Sequence, residues 1–384
     1  MEKIGRLLAQ RRQDGLMRTV HTIEERTAGV ITIAGRRYLD FSSNDYLGLA
    51  EHPNLAAAGR DAILRWGTGA GASRLLSGSQ TLHRAVEEAA AVFKGKERAL
   101  VYNSGYQANL GIISALCGKQ DVIFADRLAH ASLLDGAQLS GARLIRFAHN
   151  DPEHLRRLLA RERGNYRDAL IVTESVFSMD GDCAPLAELV LLKQEYDCSL
   201  LVDEAHATGL FGARGSGLAE QAGATAGADM LMGTFSKALG SFGAYCAADQ
   251  AIIEYLRNFS RAFIYSTALP PAVIAANLAA LEVVAAEPER RRVLQENSDF
   301  FRVELIRRGY AVRGSTQIVP LIVGENERAV RSAQALQEKG YWVVPIRYPS
   351  VPRQEARLRF SLTYHHCRAQ LQKLVEDIDA VLAV

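Results

Sequence analysis

Between about residues 80 and 235 the chain alternates short, nearly continuous apolar runs with longer stretches of helical periodicity. Arg98–Tyr102 (RALVY), Asp121–Ala125, Leu144–Phe147, Ala169–Thr173 (ALIVT), Ser199–Asp203 (SLLVD) and Met230–Thr234 have the length and composition of buried strands. Thr81–Phe93 is amphipathic, and helical patterns separate most of the runs. This βαβ rhythm predicts an α/β fold: a mainly parallel sheet with helices on both faces. Upstream, residues 1–20 carry Leu and charge at helical spacing, and residues 29–41 (GVITIAGRRYLDF) predict a hairpin around Ala34-Gly35. From about residue 288 charged helices precede three short strands, in QIVPLIV, YWVVPI and ARLRFSLT. The expected division is therefore an N-terminal helix and hairpin (1–45), a large α/β domain (46–287) and a small α+β domain (288–384).

Ligands of open α/β sheets sit beyond the carboxyl ends of the strands. The polar residues with chemical potential fall at such ends: Ser104-Gly105, Ser178, Asp203 with His206, and Thr234 with Lys237. Lys237 lies just past an apolar run among Gly233, Thr234, Ser236 and Gly240. A partly desolvated lysine there suits a Schiff base with a planar cofactor, although a solvated lysine in a Gly-rich turn has the same pattern. Asp203 ends a run too apolar for a surface strand, so its carboxylate needs a partner. A pyridinium N–H, a helix cap and a metal pair are the alternatives, and no ligand cluster at metal spacing accompanies it. Ser104, Gly105 and Tyr106 open a helix after a strand, which makes either an anion site or an ordinary turn. His130 could stack on a pyridine ring or be an ordinary polar residue.

Composition narrows the classes. A length of 384 residues suggests two or three domains, and a formal charge of +2 with scattered arginines points to neither nucleic acid nor an anionic membrane. Five cysteines without metal or redox spacing fit a reducing cytoplasm. The N-terminus lacks the apolar core of a secretory signal. Pro270–Ala286 is the longest apolar stretch, but Asn277 and Glu282 interrupt it, as in a buried or subunit-facing helix rather than a membrane span. The Gly-rich segment 67–78 does not match G-x-G-x-x-G between strand and helix, so a nicotinamide fold has weak support.

Several segments together resemble the α-oxoamine synthases, a family of class-II pyridoxal-phosphate transferases. They are Phe41–Leu49 (FSSNDYLGL), Phe147–Asp151 (FAHND), Val176–Asp182 (VFSMDGD), Val202–His206 (VDEAH), Thr234–Gly240 (TFSKALG), Pro345–Pro352 and Arg357–Thr363. The order is shared from about Arg11 onward; Ser236 stands where these synthases often have Gly. The resemblance implies fold type I and a homodimer with active sites at the subunit interface. It implies Lys237 as Schiff-base lysine, Asp203 on the pyridine nitrogen, His206 on the phenolate oxygen and His130 stacked on the ring. Thr234 and Ser104-Gly105-Tyr106 would hold phosphate, and Ser178 would support the ring. Asn44 and Arg359 would bind the amino-acid carboxylate. Arg18 and Ser350 would lie on the substrate side, and Thr267 would reach the neighbouring subunit's phosphate. In the nearest branch the implied substrates are L-alanine and a pimeloyl thioester, on coenzyme A or acyl carrier protein. Periodicity does not choose between Arg357 and Arg359, which share one face of a strand.

Overall fold

In the computed structural model, residues 2–14 and 16–382 are described. The central sheet has seven strands in the spatial order Arg98–Tyr102, Ala244–Ala248, Met230–Thr234, Ser199–Asp203, Ala169–Glu174, Val122–Asp126, Arg143–Phe147. All neighbours from Met230–Thr234 onward run parallel, and Ala244–Ala248 is antiparallel to both strands beside it. The expected parallel sheet is present with that addition. Ala-Tyr-Cys-Ala-Ala contains no β-branched residue, so no strand pattern marks it in the sequence.

Alternate residues of each strand feed two cores. Leu100, Ile123 and Leu201 pack with Ile112, Leu133 and Leu256 of the helices Gly105–Leu116, Ala131–Ser140 and Gln250–Phe259. Val101, Phe124 and Val202 point the other way, toward Leu55, Val86, Leu189 and Ile274. Each such buried apolar side chain stabilises the fold by about 1.5–3 kcal/mol. The same alternation puts Glu174 and Asp203, opposite each other on adjacent strands, on the face of the helix Gly105–Leu116. Pro271–Ala286 is a core helix packed on Pro53–Trp66 and Thr81–Lys94. No single helix among the described residues is long and apolar enough to cross a membrane.

The hairpin forms where expected, between Val30–Ile33 and Arg36–Asp40. Ala34 (φ 50°) and Gly35 (φ 73°) both adopt the positive φ that a two-residue hairpin turn requires. The run YWVVPI divides between two sheets. Tyr341–Trp342 joins the hairpin, parallel to Arg36–Asp40, and Pro345–Ile346 pairs with Ala356–Ser361. The hairpin, extended by Glu25–Thr27, thus shares a sheet with a C-terminal strand. That pairing brings residues 41–46 against Ala356–Ser361: Ser361 N–H donates to Phe41 O at 2.8 Å.

Candidate active site

Beyond Met230–Thr234 the chain loops back into Ala244–Ala248, and this loop carries Lys237. Thr234 Oγ1 donates to Gly243 O at 2.8 Å and accepts Ser236 N–H at 3.1 Å, and Ser236 Oγ also bonds Gly243. Thr234, expected on the phosphate, therefore spends its hydroxyl proton inside the loop. Gly240 has φ +63°, and a Cβ there would lie 2.3 Å from the backbone of Leu49 and Ala50, so only glycine fits. The loop holds Lys237 Nζ 2.7 Å from His206 Nε2. Burial lowers the Lys237 pKa to about 8, with Arg359 adding to the fall and Asp203 and Glu174 opposing it. His206 is held well below 6.5, first by burial and then by the charges of Lys237, Arg359 and His130.

A neutral imidazole has one donor and one acceptor, which fixes the direction of a relay. Lys237 donates to His206 Nε2, so His206 Nδ1–H donates to Tyr46 OH, 2.7 Å away. Tyr46 in turn donates to Asn44 Oδ1 at 3.1 Å. Arg359 closes the network. Its Nε donates to Ser178 O (2.6 Å), Nη1 to Ser361 Oγ (2.6 Å), and Nη2 makes long contacts with Asn44 Oδ1 (3.4 Å) and Tyr46 OH (3.5 Å). The residue is only 9% exposed, and no carboxylate pairs with it among the described residues. Arg357 is the opposite case. Fully buried, it is neutralised by Asp180 at 2.7 Å and Glu355 at 3.2 Å. Both arginines leave solvent; one keeps an unspent charge.

Asp203 ends the strand beside Met230–Thr234. Its Oδ1 accepts Ala205 N–H at 2.9 Å and its Oδ2 accepts Asn109 Nδ2 at 2.8 Å. Asn109 also donates to Ser132 Oγ, itself 2.8 Å from His130 Nδ1. Glu174 stands opposite Asp203 with Oε1 lacking a partner, and its carboxyl is pushed well above 4.5 by burial and by the charge on Asp203. Ser104 caps the helix Gly105–Leu116 through Gln107 N–H at 3.2 Å. The N–H groups of Gly105 and Tyr106 meet no protein acceptor among the described residues.

The structure thus brings Lys237, His206, Asn44, Arg359 and the Ser178 carbonyl into one hydrogen-bonded network, with Asp203 and His130 on a second. Tyr106 bonds Asp135 through its hydroxyl and sets its ring edge-on to His130. Thr267 is exposed and accepts Asn103 Nδ2 at 2.9 Å through its carbonyl. Arg18 and Ser350 lie in neither network; with His21, Trp342 and Tyr348 they line a cleft of about 470 Å³. Tyr46, Asn109 and Glu174 belong to the site without having been among the expected residues. Tyr46 stood in FSSNDYLGL and Glu174 two residues before VFSMDGD, but their partners are distant in sequence.

The aminotransferase class I and II family pattern matches residues 36–378. The 8-amino-7-oxononanoate synthase of Geobacter sulfurreducens is 50% identical over 371 residues, 96% of this chain and 95% of that protein. Among solved structures, Sphingomonas wittichii serine palmitoyltransferase superposes with a TM-score of 0.94 at 34% identity, covering 99% of this chain and 97% of that one. The 8-amino-7-oxononanoate synthase from Francisella tularensis gives 0.78 at 31% identity, with coverages of 90% and 98%. A fold shared with enzymes of different names identifies the architecture, whereas half-identity along nearly the whole length identifies the branch. The chain belongs to the class I and II aminotransferase family and, within it, to the 8-amino-7-oxononanoate synthases.

Proposed function

We propose that this chain condenses L-alanine with a pimeloyl thioester, with pyridoxal phosphate as cofactor, to give 8-amino-7-oxononanoate, CO₂ and free thiol. The observation that carries an amino-acid substrate is Arg359, a buried guanidinium with no carboxylate partner among the described residues, which shares a network with the half-buried Lys237. The near-full-length identity to 8-amino-7-oxononanoate synthases supports the choice of substrates.

The donor set fits the cofactor. Lys237 would anchor it, Asp203 would hold the pyridine N–H, His206 would turn to the tautomer that donates Nε2–H to the phenolate oxygen once the Lys237 amine no longer occupies that nitrogen, and His130 would cover a ring face beside Ser178. Ser104 and the free N–H groups of Gly105 and Tyr106 would hold the phosphate, as helix N-termini do. When bound, pyridoxal phosphate supplies an electron sink that stabilises negative charge at the substrate Cα. Arg359 meets the carboxylate of alanine with its planar fork, and Asn44 and Tyr46 steady the guanidinium. Fixing that carboxylate sets rotation about N–Cα and so the direction of the Cα–H bond. Lys237 Nζ, with its pKa near 8, is matched to taking that proton at neutral pH and returning one later. We assign Arg18 and Ser350, in their cleft, to the acyl donor. We also take the enzyme to be a cytoplasmic homodimer, in which the exposed Thr267 would face the neighbour's phosphate site.

The test is a substrate panel scored by thiol release and product mass. L-Alanine with pimeloyl-CoA or pimeloyl-acyl carrier protein should give the highest kcat/KM, above glycine with acetyl-CoA and L-serine with palmitoyl-CoA. A higher value for either competitor would move the chain to that sibling activity. Arg359 gives a second outcome. Arg359→Ala should raise the alanine KM by roughly tenfold to a hundredfold, from about 1.5–3 kcal/mol of lost interaction, with cofactor content unchanged. Arg359→Lys should recover part of it, because a point charge cannot reproduce the fork. Arg357→Ala should instead lower stability by about 3 kcal/mol, since it strips a buried carboxylate of its main partner. Thermal melts and KM values of the two variants check the division; the opposite pattern would hand the carboxylate to Arg357.

A further inference from the structure

The Phe147–Asp151 segment takes no part in the chemistry above, yet it grips two loops that do. His149 Nδ1 is 2.9 Å from Asp126 Oδ1, and its Nε2 is 2.7 Å from Asp182 Oδ2. Asp126 ends the strand that leads to His130, and its Oδ1 also accepts Leu128 N–H at 2.7 Å. Asp182 lies on the loop that carries Ser178 and Asp180. Asn150, at φ +49°, reinforces both grips: its N–H donates to Asp126 Oδ2 (2.9 Å), and its Nδ2 to Asp182 Oδ2 (2.8 Å) and Cys183 O (3.1 Å). Phe177, on the same loop, sets its ring at 90° to His149 with centroids 4.4 Å apart. On its far side the loop is held by the arginines: Ser178 O by Arg359, and Asp180 by Arg357 and Arg313.

We propose that His149 is a positioning residue, an imidazolium paired to two carboxylates that fixes the Ser178 carbonyl and, through it, the guanidinium of Arg359. The inference rests on the reading of Arg359 as the carboxylate clamp. A neutral imidazole carries one N–H and could donate to only one of two ionised carboxylates at these distances, so the geometry calls for both protons. Burial alone would lower the His149 pKa, but hydrogen bonds to Asp126 and Asp182 outweigh it and raise the value to about 9. The raised value keeps the imidazolium, and with it the pairing to both carboxylates, through neutral pH; the pairing is lost as pH rises through about 9, and the stability it contributes is fully present below 6.5, the ordinary histidine value. Asp126 and Asp182 are the charged groups that face the ring. Nearby, His154 Nδ1 accepts Ala148 N–H, Asp151 caps the following helix, and burial raises the Cys183 thiol.

The experiment uses the holoenzyme without acyl donor. Imidazole NMR should find His149 titrating near pH 9, and at least one unit lower in Asp182→Asn. Alanine binding, read from the visible absorption of the bound cofactor, should weaken about tenfold in His149→Gln at pH 7.5. In Asp182→Asn the loss relative to wild type should set in at lower pH; the ratio cancels the titration of the alanine amine and of Lys237. A His149 pKa near 6.5, or wild-type alanine affinity in His149→Gln, overturns the proposal. Should His149→Gln not fold, the NMR titration and Asp182→Asn decide it. Arg359→Ala separates the two readings. If it binds alanine like wild type, the clamp itself fails; if it weakens binding while His149→Gln does not, only the role of His149 fails.

Discussion

Lys237→Ala is expected to lower turnover by at least about 10²–10⁴-fold, the range for removing a positioned general base, and to abolish covalent retention of the cofactor. The size follows from the surroundings of the amine. Burial brings its pKa to about 8, and the nearest hydrogen-bonding atom, His206 Nε2, belongs to an imidazole held neutral well below 6.5. Among the described residues no second amine stands in this network to replace it. Borohydride reduction of the wild-type protein followed by peptide mapping should place the pyridoxyl group on the peptide containing Lys237. An adduct on another lysine, or a Lys237→Ala variant with more than a tenth of wild-type turnover, would sink the assignment.

Asp203→Asn is expected to slow exchange of the alanine Cα proton by roughly tenfold to a hundredfold while cofactor remains bound. Both carboxylate oxygens accept hydrogen bonds, from Ala205 N–H and from Asn109 Nδ2. An amide in this place would turn its NH₂ against one of those donors, and it would lose the charge expected to hold the pyridine nitrogen protonated. A charge-assisted hydrogen bond is worth about 1.5–3 kcal/mol, and each 1.36 kcal/mol on a barrier is tenfold in rate. Deuterium exchange at Cα, followed by NMR in the absence of acyl donor, isolates this step. Wild-type exchange in the variant would remove Asp203 from the mechanism.

Local sequence pattern reached the strands whose residues are buried on both faces, because an apolar run of strand length has few other uses. It also reached the residues just past their ends. It did not reach the strand Ala244–Ala248, whose small side chains gain their strand character from pairing on both sides. Nor could it rank Arg357 against Arg359. The nearer of the two carboxylates that neutralise Arg357, Asp180, lies 177 residues away, and neither it nor Glu355 pairs with Arg359. Tyr46 escaped for the same reason: its link to His206 spans 160 residues. Spacing reports what neighbours in the chain share, whereas the electrostatic assignment of each group is set by partners that only the assembled fold supplies.

The sheet that joins the hairpin to Tyr341–Trp342 has a consequence for synthesis. Phe41 N–H donates to Trp342 O, and Ser42 stands 300 residues before that strand. While a ribosome is still making the middle of the chain, Arg36–Asp40 has been exported with one edge unpaired. The segment 41–46 then lacks its partners on Trp342 and on the strand Ala356–Ser361. The central sheet can assemble during translation, its parallel strands arriving in sequence between residues 122 and 234. The contact of Asn44 with Arg359 cannot, because Arg359 is made after residue 342. A nascent chain arrested before residue 342 should therefore expose that strand edge to chaperones or to a neighbouring polysome product.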